Sequence, residues 1–163
     1  MMPDSKLTAR KTSRKDFDLI HDLERRTFGV NECFTRAQLR HLMSSPTASF
    51  FLLCDGDVPV GFGIALRSRL SNGRYRGRIY SIGVLPEYRS QGAGNLLLYE
   101  MERYLIKSGV SFIVLETKKG KGGAELFFAK QGYTVSGFLP HYYPYGDAVK
   151  MRKDVKKDKT ARR

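Results

Sequence analysis

The sequence predicts a mixed α/β (α+β) fold, in which a mostly antiparallel central sheet of about seven strands is flanked by about four helices. Three consecutive apolar runs are joined by the hairpin signals Asp55-Gly56 and Asn72-Gly73, which indicates an antiparallel start to the sheet. Beyond residue 86, helical and strand-like patterns alternate, as expected for a sheet covered by helices. The 163 residues are 41% hydrophobic and 12% aromatic, which suffices for a well-formed core.

The N-terminal part predicts a short strand and two helices. The strand is expected at Leu7–Arg10. Ser13 has an acidic residue three positions later, and apolar residues then recur at near-helical spacing at positions 17, 20, 23 and 28. Thr35, followed three residues later by Gln38, resembles the capping box of a second helix, which Pro46 prevents from extending.

The remaining patterns predict six strands and two helices. The strands are Phe50–Cys54, Val58–Leu66, Arg76–Leu85, Ser111–Glu116, Thr134–Leu139 and Ala148–Lys153. The helices are Leu96–Ser108, which stops at Gly109, and Gly122–Gln131. No internal repeat or linker interrupts the pattern, so we expect residues 1–153 to form a single domain and residues 154–163 to form a basic tail.

The charge is strongly basic, but it is concentrated at the termini. The formal net charge is +13; residues 1–15 carry five Lys or Arg against one Asp, and residues 150–163 carry eight against two. This distribution fits either solubility alone or an acidic or nucleic-acid partner that meets solvated tails.

No apolar run resembles a signal peptide or a membrane span, which predicts a cytoplasmic protein without a membrane contact. Cys33 and Cys54 lack metal-ligand spacing, so we expect buried free thiols and no metal site.

The most informative motif is the glycine-bearing stretch before the long helix, which comprises Arg89, Ser90, Gln91, Gly92, Ala93, Gly94 and Asn95. Without side chains at the two glycines, backbone N–H groups can close around phosphate oxygens at a helix N-terminus, and Arg89 would add a charge-assisted bond. The stretch therefore predicts a pyrophosphate site, although an ordinary tight turn has the same pattern. No Lys-Ser or Lys-Thr follows, which excludes a Walker loop, and the preceding antiparallel hairpin disfavours a dinucleotide-binding fold.

This stretch resembles the signature of the GNAT superfamily of N-acetyltransferases, in which Arg or Gln, two residues, Gly, one residue, and Gly or Ala follow one another. The resemblance extends to Tyr80–Pro86 and Leu115–Thr117 as the flanking strands, and to Ala124–Tyr133 as the next helix and turn. It covers residues 7 to 153. Within the superfamily, Tyr142-Tyr143-Pro144 and Gly146-Asp147-Ala148 resemble the loop before the last strand of RimI-like N-terminal protein acetyltransferases.

The resemblance implies acetyl-CoA as the cosubstrate and assigns residues to it. Ile82, Gly83 and Val84 would offer backbone groups to the pantetheine arm and the thioester, and the Val84 N–H would be the oxyanion donor. Residues 89–95 would hold the pyrophosphate, and Phe128 would line the cofactor site. Lys121 departs from the family, which usually places an Asn near the cofactor.

Glu116 is the candidate general base. An amine attacks the thioester only in its neutral form, whereas the pKa of an unperturbed Lys is about 10.4 and that of an α-amine about 7.7–8.0, so a proton acceptor is useful at neutral pH. Glu116 ends an apolar strand and matches the position of the base in RimI-like enzymes, where it acts directly or through water. The alternative is a solvated carboxylate at a strand end.

The group that meets the departing thiolate is left open by the sequence. RimI-like enzymes have a Tyr at the position of Phe128. Either a tyrosine of the loop Tyr142, Tyr143 and Tyr145 reaches the sulfur, with Tyr143 favoured, or a thiol with a pKa of about 8.5 leaves unassisted. Gripping a peptide or simple packing would explain the same tyrosines equally well.

The expected acceptor is a primary amine, with a protein or peptide N-terminus favoured, bounded by Phe34, Tyr142 and Tyr145. The alternative is a weakly active or non-catalytic module that binds RNA, the ribosome or another acidic partner through its basic tails. Arginines at alternate positions across the second hairpin are expected to share one sheet face, either as a solvated face or as a docking strip; they are Arg67, Arg69, Arg74, Arg76 and Arg78. We expect a monomer or a homodimer.

Overall fold

The computed structural model describes residues 6–30, 32–120, 124–144 and 146–156. Seven strands are present: β1 (Leu7–Lys11), β2 (Ala48–Asp55), β3 (Val58–Arg69), β4 (Tyr75–Val84), β5 (Val110–Lys118), β6 (Thr134–Tyr143) and β7 (Gly146–Asp154). They form a single sheet in the order β1-β2-β3-β4-β5-β7-β6. All neighbouring strands are antiparallel except β4 and β5, which are parallel. The predicted mixed, mostly antiparallel sheet is confirmed.

Four α-helices accompany the sheet in the described chain: α1 (Phe17–Phe28), α2 (Arg36–Ser44), α3 (Ala93–Lys107) and α4 (Ala124–Lys130). The capping box at Thr35 and Gln38 is present, with both reciprocal bonds made. Helix α3 begins three residues earlier than Leu96, the predicted start, because Gly92 is its N-cap in the left-handed region. Strand β7 runs through Asp154, one residue beyond the boundary expected for the tail.

The two helix pairs cover opposite faces of the sheet. A side chain at Gly77 would lie 3.0 Å from Leu105 of α3, and one at Gly83 would lie 2.7 Å from Thr27 of α1. Glycine at these two positions lets the helices approach the strands closely. Helices α1 and α2 pack on β2, β3 and β4. None of the described helices is both long and apolar enough to span a membrane.

The arginines of the second hairpin do not share a face, so that prediction was wrong. Arg67 lies opposite Gly77, and Arg69 lies opposite Tyr75. Directly opposite residues of an antiparallel pair point to the same side, and in this register odd-numbered residues oppose odd-numbered ones. Arg67 and Arg69 therefore lie on the face of α3, whereas Arg76 and Arg78 lie on the face of α1.

Candidate active site

The parallel strands β4 and β5 separate before either of them ends. Their pairing stops at Ile79 and Leu115, whereas β4 continues to Val84 and β5 to Lys118. Glu116 is therefore the first residue of β5 beyond the last pair. Such a gap leaves facing backbone groups without a partner in the ladder, and it can admit an extended ligand between the strands.

The backbone of β4 presents two residues to this gap. Hydrogen-bonded positions alternate along an antiparallel ladder, and the Leu85 N–H donates to the Val60 carbonyl at 2.9 Å. Gly83 is in phase with Leu85 and so also bonds toward β3. Ile82 and Val84 are out of phase, so their N–H and C=O groups face the gap.

Side chains of the glycine-bearing stretch bond to the backbone just before it and to Gln131, the residue directly after α4. The Nε of Arg89 donates to the Val84 carbonyl at 3.0 Å, which keeps the guanidinium beside the gap. Gln91 donates through Nε2 to the carbonyl of Glu87 at 3.2 Å. The side-chain oxygen of Asn95 accepts from Gln131 at 3.0 Å. These contacts hold the loop against both the strand and the neighbouring helix.

The two glycines of the stretch are needed for different reasons. Gly92 has φ +78°, and a side chain there would meet nothing within 4 Å, so the backbone conformation alone favours glycine. Gly94 lies in the first turn of α3, and a side chain there would be 3.4 Å from the ring of Phe127. Together with Ser90, which also has a positive φ of 62°, Gly92 turns the chain so that the free N–H groups of α3 start beside the gap.

On the other face, Phe34 belongs to an aromatic wall beside the gap. Its ring stacks on that of Tyr80 at 5.6 Å and 9°. The Arg78 guanidinium also lies over the Tyr80 ring, 5.1 Å from its centroid. The backbone N–H of Phe34 donates to the carboxylate of Glu24 at 2.8 Å. Burial raises the pKa of Glu24 to about 7, and the bond from Phe34 opposes that increase.

Glu116 lies on this same face and is held by a network. Nε and Nη2 of Arg78 are each 2.9 Å from Oε2 of Glu116. The same Nη2 donates to the hydroxyl of Tyr142 at 3.2 Å. Tyr142 is 46% exposed and meets Tyr143 edge to face at 4.9 Å. The sequence-predicted residues Glu116, Tyr142 and Tyr143 are thus brought together.

Tyr143 points back toward the end of β5. Its hydroxyl donates to the backbone carbonyl of Glu116 at 3.4 Å. Burial first, and then the neighbouring Tyr142 and Glu116, raise the pKa of Tyr143 to about 12, although Arg78 opposes the shift. The hydroxyl therefore stays protonated through the neutral range and remains a donor.

Phe128 lies in the core of the α4 side. Its side chain is 6% exposed and makes edge-to-face contacts with Phe127 at 5.1 Å and with Tyr133 at 5.8 Å. The hydroxyl of Tyr133 is buried without a hydrogen-bond partner among the described residues. The Tyr133 ring lies beside Lys153, which forms a 2.7 Å ion pair with Glu102. Burial, and then the charge of Glu102, raise the pKa of the Tyr133 hydroxyl.

The sequence alone assigns no role at the site to three residues: Arg78, Tyr80 and Glu24. In the sequence, Arg78 belongs only to the pattern of alternating arginines, and Tyr80 belongs only to the strand motif Tyr80–Pro86. The sequence does indicate that Glu24 is unusual, because this acidic residue falls on the apolar face of the first helix. Lys121, Tyr145 and the tail beyond residue 156 lie outside the described residues.

No cluster of three or more potential metal ligands occurs in the described part of the chain. Cys33 and Cys54 are both free and only partly buried. Cys33 donates to the carbonyl of Val30 at 3.7 Å, and burial raises the pKa of the Cys54 thiol. Neither thiol hydrogen-bonds to Ile82, Val84 or Glu116 in the described part of the chain, so the candidate chemistry rests on the backbone, Glu116 and the tyrosines.

Residues 17–133 match the model of the acetyltransferase (GNAT) family. An uncharacterized N-acetyltransferase of Methanocaldococcus jannaschii is 32% identical over 146 residues, which cover 88% of this chain and 89% of that protein. The N-alpha-acetyltransferase RimI of Mycobacterium tuberculosis is 26% identical over 151 residues, covering 91% of this chain and 92% of that protein. The structure of Arabidopsis thaliana NAA60 in complex with acetyl-CoA is similar in fold, with a TM-score of 0.80, 14% identity and coverage of 92% and 99%.

Proposed function

This chain belongs to the GNAT acetyltransferase family, and we propose that it transfers the acetyl group of acetyl-CoA to a primary amine, with the N-terminal amine of a protein or peptide as the preferred acceptor. The observation that carries the proposal is the gap between β4 and β5. It has the backbone N–H of Val84 on one strand and the carboxylate of Glu116 on the other. An acyl donor between the strands would lie between an oxyanion donor and a base.

The residues around the gap fit acetyl-CoA. An extended pantetheine arm can pair with the N–H and C=O groups of Ile82 and the N–H group of Val84, which face the gap, as an added strand would. Its pyrophosphate would meet the N–H groups at the start of α3, where Gly92 leaves open space. Arg89, fixed at Val84, adds a cation near the same end of the gap. Phe128 would line the cofactor side of the sheet.

In the proposed reaction, Glu116 accepts a proton from the acceptor ammonium, directly or through water, which leaves a neutral amine. The amine nitrogen attacks the thioester carbonyl carbon, and the carbonyl oxygen becomes an oxyanion that the Val84 N–H stabilises. The C–S bond then breaks and the nitrogen gives up its extra proton to water or to the departing sulfur, so that the neutral amide and a thiolate or thiol form. Arg78 keeps the Glu116 carboxylate in position throughout.

We assign Tyr143 to the departing thiolate as a hydrogen-bond donor. Its pKa of about 12 lies well above the pKa of about 8.5 of an ordinary thiol, so complete proton transfer from Tyr143 to sulfur would be uphill. A hydrogen bond from the hydroxyl still lowers the energy of the leaving group. The proton that the product thiol finally carries at neutral pH would then come from the amine nitrogen or from solvent.

The acceptor would enter from the face of α1 and α2, opposite the cofactor. The stacked rings of Phe34 and Tyr80 form one wall, and Tyr142 forms the other. Tyr145 stays a proposed contributor to the second wall. The similarity to the N-alpha-acetyltransferase RimI supports an α-amine as acceptor.

The test is thiol release from acetyl-CoA while different amines are offered. The set should contain peptides with free N-termini, the same peptides with blocked N-termini and one internal Lys, and polyamines. The proposal expects release with free N-termini and little with blocked ones. Acetyl-CoA binding without thiol release above the hydrolysis background in every case would favour the non-catalytic alternative.

A further inference from the structure

Part of the sheet is open on the side of Glu116. Helices α1 and α2 pack over β2, β3 and β4 on that side, and α3 and α4 pack on the opposite face. Within the described ranges, no helix packs on β5, β7 and β6 on the side of Glu116. The exposed part of this face starts at the proposed acceptor entrance and continues toward the beginning of β5.

The register places a basic group of side chains on this open face. Arg76 lies opposite Phe112, and Arg78 lies opposite Val114. Val114 in turn lies opposite Arg152, and Glu116 lies opposite Lys150. We call the group of Arg76, Lys150 and Arg152, together with Phe112, the basic face.

Two cations of the open face have no carboxylate partner among the described residues. Arg78 is paired with Glu116, and Arg152 is paired with Asp154 at 2.8 Å. Arg76 and Lys150 form no ion pair there, and Nε of Arg76 is buried without a hydrogen-bond partner in the described chain. The face therefore carries an excess of positive charge beside the proposed base.

We propose that the basic face binds an acidic segment of the acceptor protein that follows its reacting N-terminus. This inference rests on the proposed function. From Glu116 to Phe112, β5 runs four residues, or roughly 13 Å at about 3.3 Å per residue. An acceptor chain that extends over the sheet covers that distance in about four residues. Lys150 lies level with Glu116, whereas Arg152 and Arg76 lie opposite β5 residues two and four positions away from it, so these two arginines would meet side chains at about positions three to five of the acceptor.

A peptide fits this face better than a nucleic acid does. Base stacking needs a free aromatic face, but the guanidinium of Arg152 already lies 3.8 Å from the centre of the Phe112 ring. Nucleic-acid binding also draws on many phosphate contacts, whereas only Arg76 and Lys150 are without an ion-pair partner in this part of the structure. A few carboxylates near a reacting amine match the small excess of positive charge on the basic face.

The test compares two peptides that share their first two residues and carry Glu or Gln at positions three to five. We expect kcat/KM to be roughly tenfold higher for the Glu peptide at low salt, from a few exposed ion pairs, and the ratio to fall as salt is added. In the Arg76→Glu/Arg152→Glu double variant the preference should disappear or reverse, while the Gln peptide is acetylated within about threefold of the wild-type rate. Arg69→Glu is the matched control, because Arg69 lies on the opposite face.

Each result separates the inference from the proposed function. Equal kcat/KM for both peptides in the wild type would overturn the inference and leave the acetyltransferase intact. If the double variant is unstable, Arg76→Gln alone should still reduce the preference by about twofold or more. If no peptide is acetylated, fluorescence anisotropy with the two labelled peptides decides, since equal affinity for both overturns the basic face as an acidic-peptide site. The inference would also be overturned if a short RNA displaced the labelled Glu peptide at a lower concentration than the unlabelled Glu peptide does.

Discussion

Both guanidinium nitrogens of Arg78 that face Glu116 lie 2.9 Å from the same carboxylate oxygen, Oε2. The pair joins β4 to β5 immediately beyond the last residues at which these strands are hydrogen-bonded. It therefore bridges the gap at its closed end and fixes the direction of the Glu116 carboxylate. The same arginine reaches Tyr142, so the proposed base, the proposed acceptor wall and the gap share one cation.

The first prediction concerns Glu116→Gln. The amide oxygen can still accept from Arg78, so the geometry should persist while basicity is lost. We expect turnover to fall by roughly 10²–10⁴-fold and acetyl-CoA affinity to change little, as is usual for loss of a general base. Raising the pH should restore part of the rate, because more of the amine is then neutral. Glu100→Gln on the surface of α3 is the control, and near-normal turnover of Glu116→Gln at neutral pH would leave Glu116 with a structural role.

The second prediction uses Gly92→Val to test whether the glycine-bearing stretch binds acetyl-CoA. Valine is strained at φ +78° and would displace the N–H groups at the start of α3, so we expect loss of acetyl-CoA binding in calorimetry. Gly56→Val is the matched control: Gly56 also has a positive φ, 58°, and nothing lies within 4 Å of its side-chain position. It should cost similar stability and leave affinity unchanged. Unaltered binding by Gly92→Val would argue against the phosphate role.

How far the sequence could predict this site depends on the range of each interaction. Hairpins and helices were predictable because their signals are local: Thr35 and Gln38, for example, form the expected capping box. The start of α3 was missed because its first turn contains glycine, which has poor helix propensity. The contact of Arg78 with Glu116 spans 38 residues of sequence and depends on the registers of two strand pairs. An alternating pattern shows which residues of one strand share a face, but it does not show which residues of the neighbouring strand lie opposite them.

The third prediction concerns Glu24, a residue that is 1% exposed and whose carboxyl has a pKa of about 7. Because the folded-state pKa is raised above the unfolded value of about 4.3, the buried group contributes most to stability at low pH. That contribution is lost as the pH rises from about 4.5 to about 7, by roughly 3 kcal/mol at 1.36 kcal/mol per pKa unit. Glu24→Gln, which can still accept from Phe34, should remove this slope.

Urea unfolding of the wild type and of Glu24→Gln at several pH values measures this effect as a difference. The variant should gain stability relative to the wild type as the pH rises from about 4.5, and the difference should level off above about pH 8. Asp57→Asn, at an exposed turn, is the control and should show no such trend. A difference independent of pH would mean that Glu24 keeps an ordinary pKa in the folded protein.

The fourth prediction concerns the leaving group and starts from Tyr143. Loss of its hydroxyl in Tyr143→Phe removes the donor at the end of β5, so turnover should fall more than in Tyr142→Phe or Tyr145→Phe. The comparison uses saturating acetyl-CoA and one peptide. Equal and small effects of all three substitutions would remove Tyr143 from the reaction.

Phe128→Tyr is the complementary change, because it adds the hydroxyl that RimI-like enzymes carry at this position. The Phe128 ring is 6% exposed and packed between Phe127 and Tyr133, so a new hydroxyl would be largely desolvated. A thiol with a pKa of about 8.5 is already a good leaving group, and an added acid helps only when that departure limits the rate. We therefore expect turnover to change by less than about tenfold, with a modest loss of stability measured in the same preparation. A large gain in turnover would instead mean that the natural protein lacks a needed acid, which would favour the weakly active alternative over assistance by Tyr143.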